Sequence, residues 1–381
     1  MNTITETNVR MFASPRAWID GEAVRQFYQT TRLAGMQFAA AFPDLHSGRR
    51  TPVGAAFVTE SIIYPHVIGG DIGCGMALFA TDLARPEAQR LDGWAELQFG
   101  LEHPWDGPVP DVLAEQGLDS TPFDAALGTI GGGNHFAELQ MVESVIDAPA
   151  FRRLGLHWQK LVLLVHSGSR GLGELILRNY AKEQRDNGAS IDSAAGAEYL
   201  RGHDSAVRWA RANRALIAKR FAAALGAEAE LIWDGCHNSI ARTPSLRSRR
   251  PVARWIHRKG AVEAHGGPVV IPGSRGTLSY LVKPVSDGEV RAWSLAHGAG
   301  RRWSRSAGRL RMRERFAVRE LTQTPLGSRV VCEERNLLYE EAPPAYKDIE
   351  AVIEALVDAG LITVIATFRP LLTYKTRRLR R

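Results

Sequence analysis

Residues 69–76 read G-G-D-I-G-C-G-M and set a carboxylate, Asp71, three positions before a thiol, Cys74. Glycine makes this backbone able to approach another group closely, at an entropic cost that an idle loop would not need. Four of the eleven histidines share a second context, a glycine-rich or turn-forming loop with polar neighbours: His135 in GGGNHF, His166 in VHSGSRG, His237 in DGCHNS and His297 in LAHGAGR. Any one of them alone reads better as a satisfied core or surface histidine. Together with Asp71 and Cys74 they offer the imidazole, thiolate and carboxylate donors that a divalent transition metal takes. No HExxH or CxxC spacing is present, so the pattern supports a metal site without fixing its geometry. His103, His157 and His203 have neighbours typical of surface or helix positions.

Two glycine loops, GTIGGGNHF and IPGSRGTLSY, have the make-up of backbone nests that bind anions. The chain has no GxxxxGK[ST], which excludes a P-loop nucleotidase, and no KxDG lysine to carry a covalent nucleotide. Net charge is +7 and the excess is clustered. One run holds Arg247, Arg249, Arg250, Arg254, Arg258 and Lys259. A second holds Arg301, Arg302, Arg305, Arg309, Arg311, Arg313 and Arg315, and the chain ends YKTRRLRR. A lone run of this kind is usually a solvated face. Three arginine-rich runs beside candidate site residues point instead to a polyanion, expected to be nucleic acid.

The elements that must position these residues follow from periodicity. Helices are predicted over residues 21–33, 193–225, 314–323 and 346–360, and strands around 61–64, 161–167, 231–236 and 269–282. LITVIATFRPLLTY reads as a final strand pair, and PDLHSGRRTPVG as a turn-rich entry. Strands and helices alternate irregularly, which predicts an α+β fold. A chain of 381 residues would ordinarily suggest two or three domains. Candidate residues spread from Asp71 to Lys375 favour one wrapped domain over 1–381. No apolar run is long enough to span a membrane, and MNTITETNVRMF lacks a signal-like apolar region. Three cysteines (Cys74, Cys236, Cys332) argue against a disulfide framework and predict a reducing cytoplasm.

DIGCGM, GGGNHFAEL, HSGSRGLG, CHNSIAR, HRKGA, PVVIPGSRGTLSYLV, SLAHGAGRRWSRS, EEAPPAYKDI and RPLLTYK stand in the order seen in the RtcB family of RNA ligases. The likeness runs from PDLHSG at 43–48 to Lys375. It implies an α+β fold of the RtcB type and a ligase dependent on GTP and two Mn²⁺ ions. Such an enzyme joins RNA 3′-phosphate or 2′,3′-cyclic phosphate ends to 5′-hydroxyl ends. The resemblance implies Asp71, Cys74, His135, His166 and His237 as metal ligands, with Cys74 bridging, and His297 as the nucleophile that takes GMP. Around the nucleotide it places Asn134, His135, Phe136, Ala137, Glu138, His237 and Asn238. It adds Pro272, Gly273, Ser274, Arg275, Ser279, His297, Gly298, Ala299, Gly300, Tyr346 and Lys375. By affinity alone, thiolate and imidazole favour Zn²⁺; the resemblance implies Mn²⁺, with Zn²⁺ expected to bind without supporting turnover. FASPRAWIDGEAVRQ and Arg275, where many relatives have methionine, are similar to the branch found beside a release-factor-H-like gene. Two other readings stay open: a metal-dependent cyclic-phosphate phosphoesterase, and a non-catalytic RNA-binding protein. GTP consumption separates them from a ligase.

Overall fold

The structure, a computed structural model, describes residues 8–13, 16, 18–185, 187–243, 254–285 and 287–377. Arg247, Arg249 and Arg250 of the first basic run, and the basic residues after Arg377, lie outside the described residues. Two large sheets organise the rest. One has five strands in the order Asn8–Met11, Met36–His46, Val53–Glu60, Arg254–Lys259, Asn238–Arg242. The other runs Val269–Ile271, Ser279–Pro284, Ile362–Thr376, Phe136–Val145, Lys160–Ser167, Gly75–Ala84, Ala229–Cys236, with Arg329–Cys332 pairing in parallel beside Ile362–Thr376. Helices lie around these mixed sheets, so the fold is α+β.

The strand Lys160–Ser167 shows how sequence becomes a site. KLVLLVHS is apolar almost throughout, as a strand covered on both faces must be. Alternation then splits it between two cores. Leu161, Leu163 and Val165 pack with Ile217, Ala218 and Phe221 of the long helix Ala194–Ala224. Val162 and Leu164 pack with Phe151, Leu281 and Phe368 on the opposite face. His166 continues the second parity and faces the side shared by its register partners Met76 and Phe136.

The helix predicted over 193–225 is present as Ala194–Ala224, with the Ser193 hydroxyl accepting from the Gly196 N–H at 3.1 Å as N-cap. The predicted helix over 21–33 is shorter, Gly21–Thr30. Other expectations are corrected. PDLH belongs to the strand Met36–His46, and only Ile62–Ile63 of the predicted 61–64 strand pairs. LITVIATFRPLLTY is one strand, Ile362–Thr376, and a register shift at Pro370 accommodates the proline's missing N–H. The second basic run contains a helix, Arg305–Arg315, capped by Ser304, and the helix expected over 314–323 is only Val318–Thr322. His203 is on a helix as expected but is buried, and its Nε2 accepts from the Ile240 N–H at 2.9 Å.

Candidate active site

Strand ends converge on one cavity of about 640 Å³. Cys74 immediately precedes the strand Gly75–Ala84, His135 precedes Phe136–Val145, and His166 closes Lys160–Ser167. His237 sits between Ala229–Cys236 and Asn238–Arg242, and its N–H donates to the Cys74 carbonyl at 2.8 Å. Gly75 pairs with both Ser167 and Cys236, which locks the three loops together. Gly168 is required by closeness: a Cβ there would meet Asp71 Oδ1 at 2.3 Å.

One buried residue of the long helix ties these loops from behind. Arg214 donates through Nη1 to the carbonyls of Gly73 (2.8 Å) and Ser167 (2.9 Å). Its Nε and Nη2 form a two-bond pair with Asp234, each at 2.7 Å. Its neighbour Asn213 donates to Ser167 Oγ at 3.0 Å and the Gly168 carbonyl at 3.2 Å. Removing the guanidinium takes two hydrogen bonds from the carbonyls and leaves Asp234 with the longer contact to Arg211 Nε at 3.6 Å. Arg214→Met is therefore expected to lower unfolding free energy by about 3–5 kcal/mol, read as a lower denaturant midpoint at unchanged m-value. A loss below about 1 kcal/mol would show that the loops hold without it.

Within the converged ends, Cys74 Sγ lies 3.3 Å from His166 Nε2 and 3.6 Å from His135 Nε2. His135 Nε2 is also 3.6 Å from Asp71 Oδ2. The far nitrogens fix the tautomers. His135 Nδ1 meets the Ile130 carbonyl and His166 Nδ1 the Asn134 carbonyl, both at 3.1 Å. Carbonyls only accept, so each Nδ1 carries the proton and each Nε2 presents a lone pair toward the thiol. Burial, then neighbouring histidines, hold His166 and His237 well below the ordinary imidazole range. Burial and Asp71 push the Cys74 thiol up. Burial works to raise Asp71 as well, but His135, Cys74 and Lys259 outweigh it and hold the carboxyl well below its ordinary value. Neutral imidazoles, an ionised carboxylate and a thiol that needs a cation to ionise fit a divalent metal. The Cys74, His135 and His166 ligand atoms all lie within 4.8 Å of one another. His237 stands beside them, its ring 5.2 Å from that of His166 and 4.9 Å from that of His297.

His297 stands apart from that cluster. Its Nδ1 contacts Asp44 Oδ2 at 2.6 Å and its backbone N–H donates to the same oxygen at 3.1 Å. Asp44 is fully buried, and Lys347 Nζ donates to the carbonyls of Pro43 and Leu45 on either side of it. Gly300, at φ +73°, lets the loop close on Asp44, whose carbonyl a Cβ would meet at 2.3 Å. The carboxylate keeps the proton on Nδ1 and leaves Nε2 as a lone-pair nucleophile. His46 stacks beside it at 6.2 Å, its Nδ1 on the Asp44 carbonyl at 2.9 Å, and burial holds it down to about 4. Neither Asp44 nor His46 was singled out from sequence; an aspartate inside the apolar run FPDLH was the available signal.

Asn134, Phe136, Glu138, Asn238, the Pro272–Arg275 turn, the His297–Gly300 loop, Tyr346 and Lys375 all line the cavity. Burial pushes Glu138 up to about 7, and its oxygens accept from Gln140 and Thr373. Lys375 Nζ donates to the His135 carbonyl at 3.0 Å, and the Tyr346 hydroxyl donates to Glu341. Three predicted residues, His135, Ala137 and Ser279, are not on the wall, His135 standing behind it with Nε2 3.6 Å from Cys74 Sγ. Ala137 turns to the opposite face of its strand and packs with Leu163 and Tyr374. Ser279 is one layer behind, accepting from Gln140 Nε2 at 2.9 Å. Arg301 of the second basic run also lines the cavity, where it pairs with Glu341 at 3.0 Å and lies over the Tyr346 ring at 5.1 Å.

The profile of a family described as tRNA-splicing ligase RtcB matches residues 26–102 and 116–376. The chain belongs to the RtcB family. Among relatives of this RtcB-family chain, the RNA-splicing ligase RtcB2 of Escherichia coli is 43% identical over 367 residues, covering 95% of this chain and 94% of that protein. The RNA-splicing ligase RtcB of Mycobacterium bovis is 30% identical over 418 residues, covering 87% and 95%. The tRNA-splicing ligase RtcB of Archaeoglobus fulgidus is 28% identical over 442 residues, covering 93% and 91%. No helix among the described residues is long and apolar enough to cross a membrane.

Proposed function

We propose that this RtcB-family chain is an RNA ligase that uses GTP and Mn²⁺ to join RNA 3′-phosphate or 2′,3′-cyclic phosphate ends to 5′-hydroxyl ends. The observation that carries the reading is the Asp44–His297 pair at 2.6 Å, which aims a lone-pair nitrogen into a cavity walled by the Cys74 and histidine cluster. A nucleophile oriented by a buried carboxylate serves covalent transfer, which simple phosphoester hydrolysis does not require. Residues 1–381 act as one catalytic domain in this reading, in a reducing cytoplasm that keeps the three thiols unpaired.

Each residue has a task. His297 Nε2 attacks the α-phosphorus of GTP; an N–P bond forms and pyrophosphate leaves. Asp44 holds the ring and stabilises the charge it gains. A 2′,3′-cyclic end is first opened by water to a 3′-phosphate and a 2′-hydroxyl; the 3′-phosphate oxygen then takes GMP from His297, making a phosphoanhydride, and the 5′-hydroxyl attacks the RNA phosphorus with GMP as leaving group. Asp71, Cys74, His135, His166 and His237 would hold the two Mn²⁺ ions. Bound there, the ions would supply charge neutralisation for these in-line displacements. Asn134, Glu138, Asn238, Ser279, Tyr346, Lys375 and the two glycine turns hold the nucleotide.

The test combines RNA ending in a 3′-phosphate or in a 2′,3′-cyclic phosphate with a 5′-hydroxyl RNA, GTP and Mn²⁺. Joined product with stoichiometric GTP consumption is expected; loss of the cyclic phosphate without joining or GTP use would establish the phosphoesterase reading instead. The likeness of the N-terminal segment adds RNA ends produced at the ribosome, in company with a release-factor-H-like protein, as the substrate source to sample first.

RNA docking is assigned to the helix Arg305–Arg315 and the residues leading into it. Arg305 lines the cavity, while Arg302 and Arg311 are exposed and flank the Trp303 ring at 5.3 and 4.9 Å. Replacing Arg302, Arg305 and Arg311 by alanine is expected to weaken unrelated RNAs alike and to flatten the salt dependence by about 0.7 per lost phosphate contact. Unchanged slope and affinity would make the run a solvated face.

A further inference from the structure

Joining brings two RNA ends into one cavity, and the basic helix Arg305–Arg315 supplies only one flank of it. Arg305 lies over the loop that carries His135: a Cβ at Gly133 would meet its Nη1 and Nη2 at 3.3 Å. The helix packs against Arg335–Glu340 and Pro343–Ala345, just ahead of Tyr346. This flank therefore belongs with Glu138, Thr373 and Lys375, from strands of the larger sheet, on the side assigned to the nucleotide.

A second flank comes from the five-stranded sheet. Residues 47–52 connect its strands Met36–His46 and Val53–Glu60. Gln26 holds the backbone of Gly48 through two hydrogen bonds, at 3.0 and 3.2 Å, and Thr51 Oγ1 donates to the Val67 carbonyl at 3.2 Å. Between these anchors Arg49 lines the cavity, is exposed, and makes no hydrogen bond or ion pair among the described residues. The connection ends beside the reacting centre, since a Cβ at Gly260 would meet Val53 Cγ1 at 2.3 Å and His297 Cε1 at 3.0 Å. Lys259 also lines the cavity, but its Nζ is engaged by the Ile68 carbonyl at 2.7 Å. Glu174, beside Gly70, adds an exposed carboxylate that repels a phosphate. Arg49 is thus a cation on a fixed loop with its donors unspent.

The order of bond making says what it would hold. In an in-line displacement the attacking oxygen enters on the side away from the leaving group. GMP departs toward the nucleotide side, so the 5′-hydroxyl strand comes in from the other flank. That strand has no phosphate at its end. Its nearest negative charge is the phosphate between its first and second nucleotides, which a guanidinium meets with two parallel hydrogen bonds.

We propose that Arg49 binds the first internucleotide phosphate of the 5′-hydroxyl RNA and so positions that strand for attack. The inference rests on the ligase reading of the cavity.

Steady-state joining is measured in the wild-type chain, Arg49→Ala and Arg49→Lys, with each RNA varied in turn while the other is saturating. Arg49→Ala is expected to raise KM for the 5′-hydroxyl RNA about tenfold and to leave KM for the 3′-phosphate RNA unchanged. Arg49→Lys keeps the charge but loses the fork, and its KM should fall between the two. A 5′-hydroxyl RNA with an uncharged methylphosphonate at its first linkage should cost the wild-type chain about the same tenfold and cost Arg49→Ala nothing further. An unchanged KM for the 5′-hydroxyl RNA in Arg49→Ala would overturn the proposal. So would an equal rise for both RNAs, which marks an unspecific field, and so would a methylphosphonate penalty that persists in the variant. A rise confined to the 3′-phosphate RNA would overturn it by giving Arg49 to the other strand. Absence of joining by the wild-type chain would overturn the ligase reading itself; joining with unaltered constants in the variant overturns only the role of Arg49.

Discussion

His297→Ala is expected to abolish transfer of label from α-labelled GTP to the protein while leaving metal content unchanged. The ring lies outside the tight Cys74, His135 and His166 group, so its removal costs no ligand of that cluster. In the wild-type chain the label should resist base and leave in acid, as a phosphoramidate on imidazole does. The variant should still join RNA already carrying a 3′-guanylyl cap, because that step needs the leaving group but not the nucleophile. Asp44→Asn refines the result. It keeps the ring but withdraws the carboxylate that fixes its tautomer at 2.6 Å, and guanylylation should fall about 10–100-fold. A His297→Ala protein that still becomes labelled would move the nucleophile to another residue, with His46 and His237 next in reach of the same cavity.

Cys74→Ser is expected to remove ligation while sparing the fold. Oxygen for sulfur changes shape little at a site 2% exposed, so stability should move by no more than about 1 kcal/mol. A serine hydroxyl does not ionise at neutral pH, so a metal held by Cys74, His135 and His166 would lose its thiolate ligand. Bound Mn²⁺ measured by titration should drop, and joining should fall by at least about 10–100-fold. Near-normal metal content and activity would reduce Cys74 to a core thiol.

Much of this site was legible because its residues sit at strand ends, and strand ends carry glycine and polar residues that interrupt apolar runs. VLLVHSGSRG announces both the strand and the loop, and ELIWDGCHNS does the same. The metal geometry was not legible, since the residues come from separate strands and share no local spacing. Cys74 and His166, 92 positions apart, meet only through the register of Gly75 with Ser167. Asp44 was missed because its neighbours are apolar and its partner lies 253 positions away. The partner of Arg301 was hidden for the opposite reason: a run of arginines looks uniform in sequence, and only packing shows that this one pairs with Glu341. Alternation at Ala137 would have shown it facing away from Glu138, a reading the periodicity already permits.

The placement of the strand Ile362–Thr376 bears on the order in which this protein matures. It is synthesised after every other described strand of the larger sheet, yet it lies inside that sheet, between Ser279–Pro284 and Phe136–Val145. The strand that His135 introduces therefore lacks one neighbour until residues 362–376 have left the ribosome. Every residue of the Cys74, His135 and His166 cluster is made before that strand, so their scaffold is completed only after all three have been synthesised. Ion capture becomes a late event, coupled to closure of the sheet, and a nascent chain halted before residue 362 would present thiol and imidazoles without the frame that selects among metals.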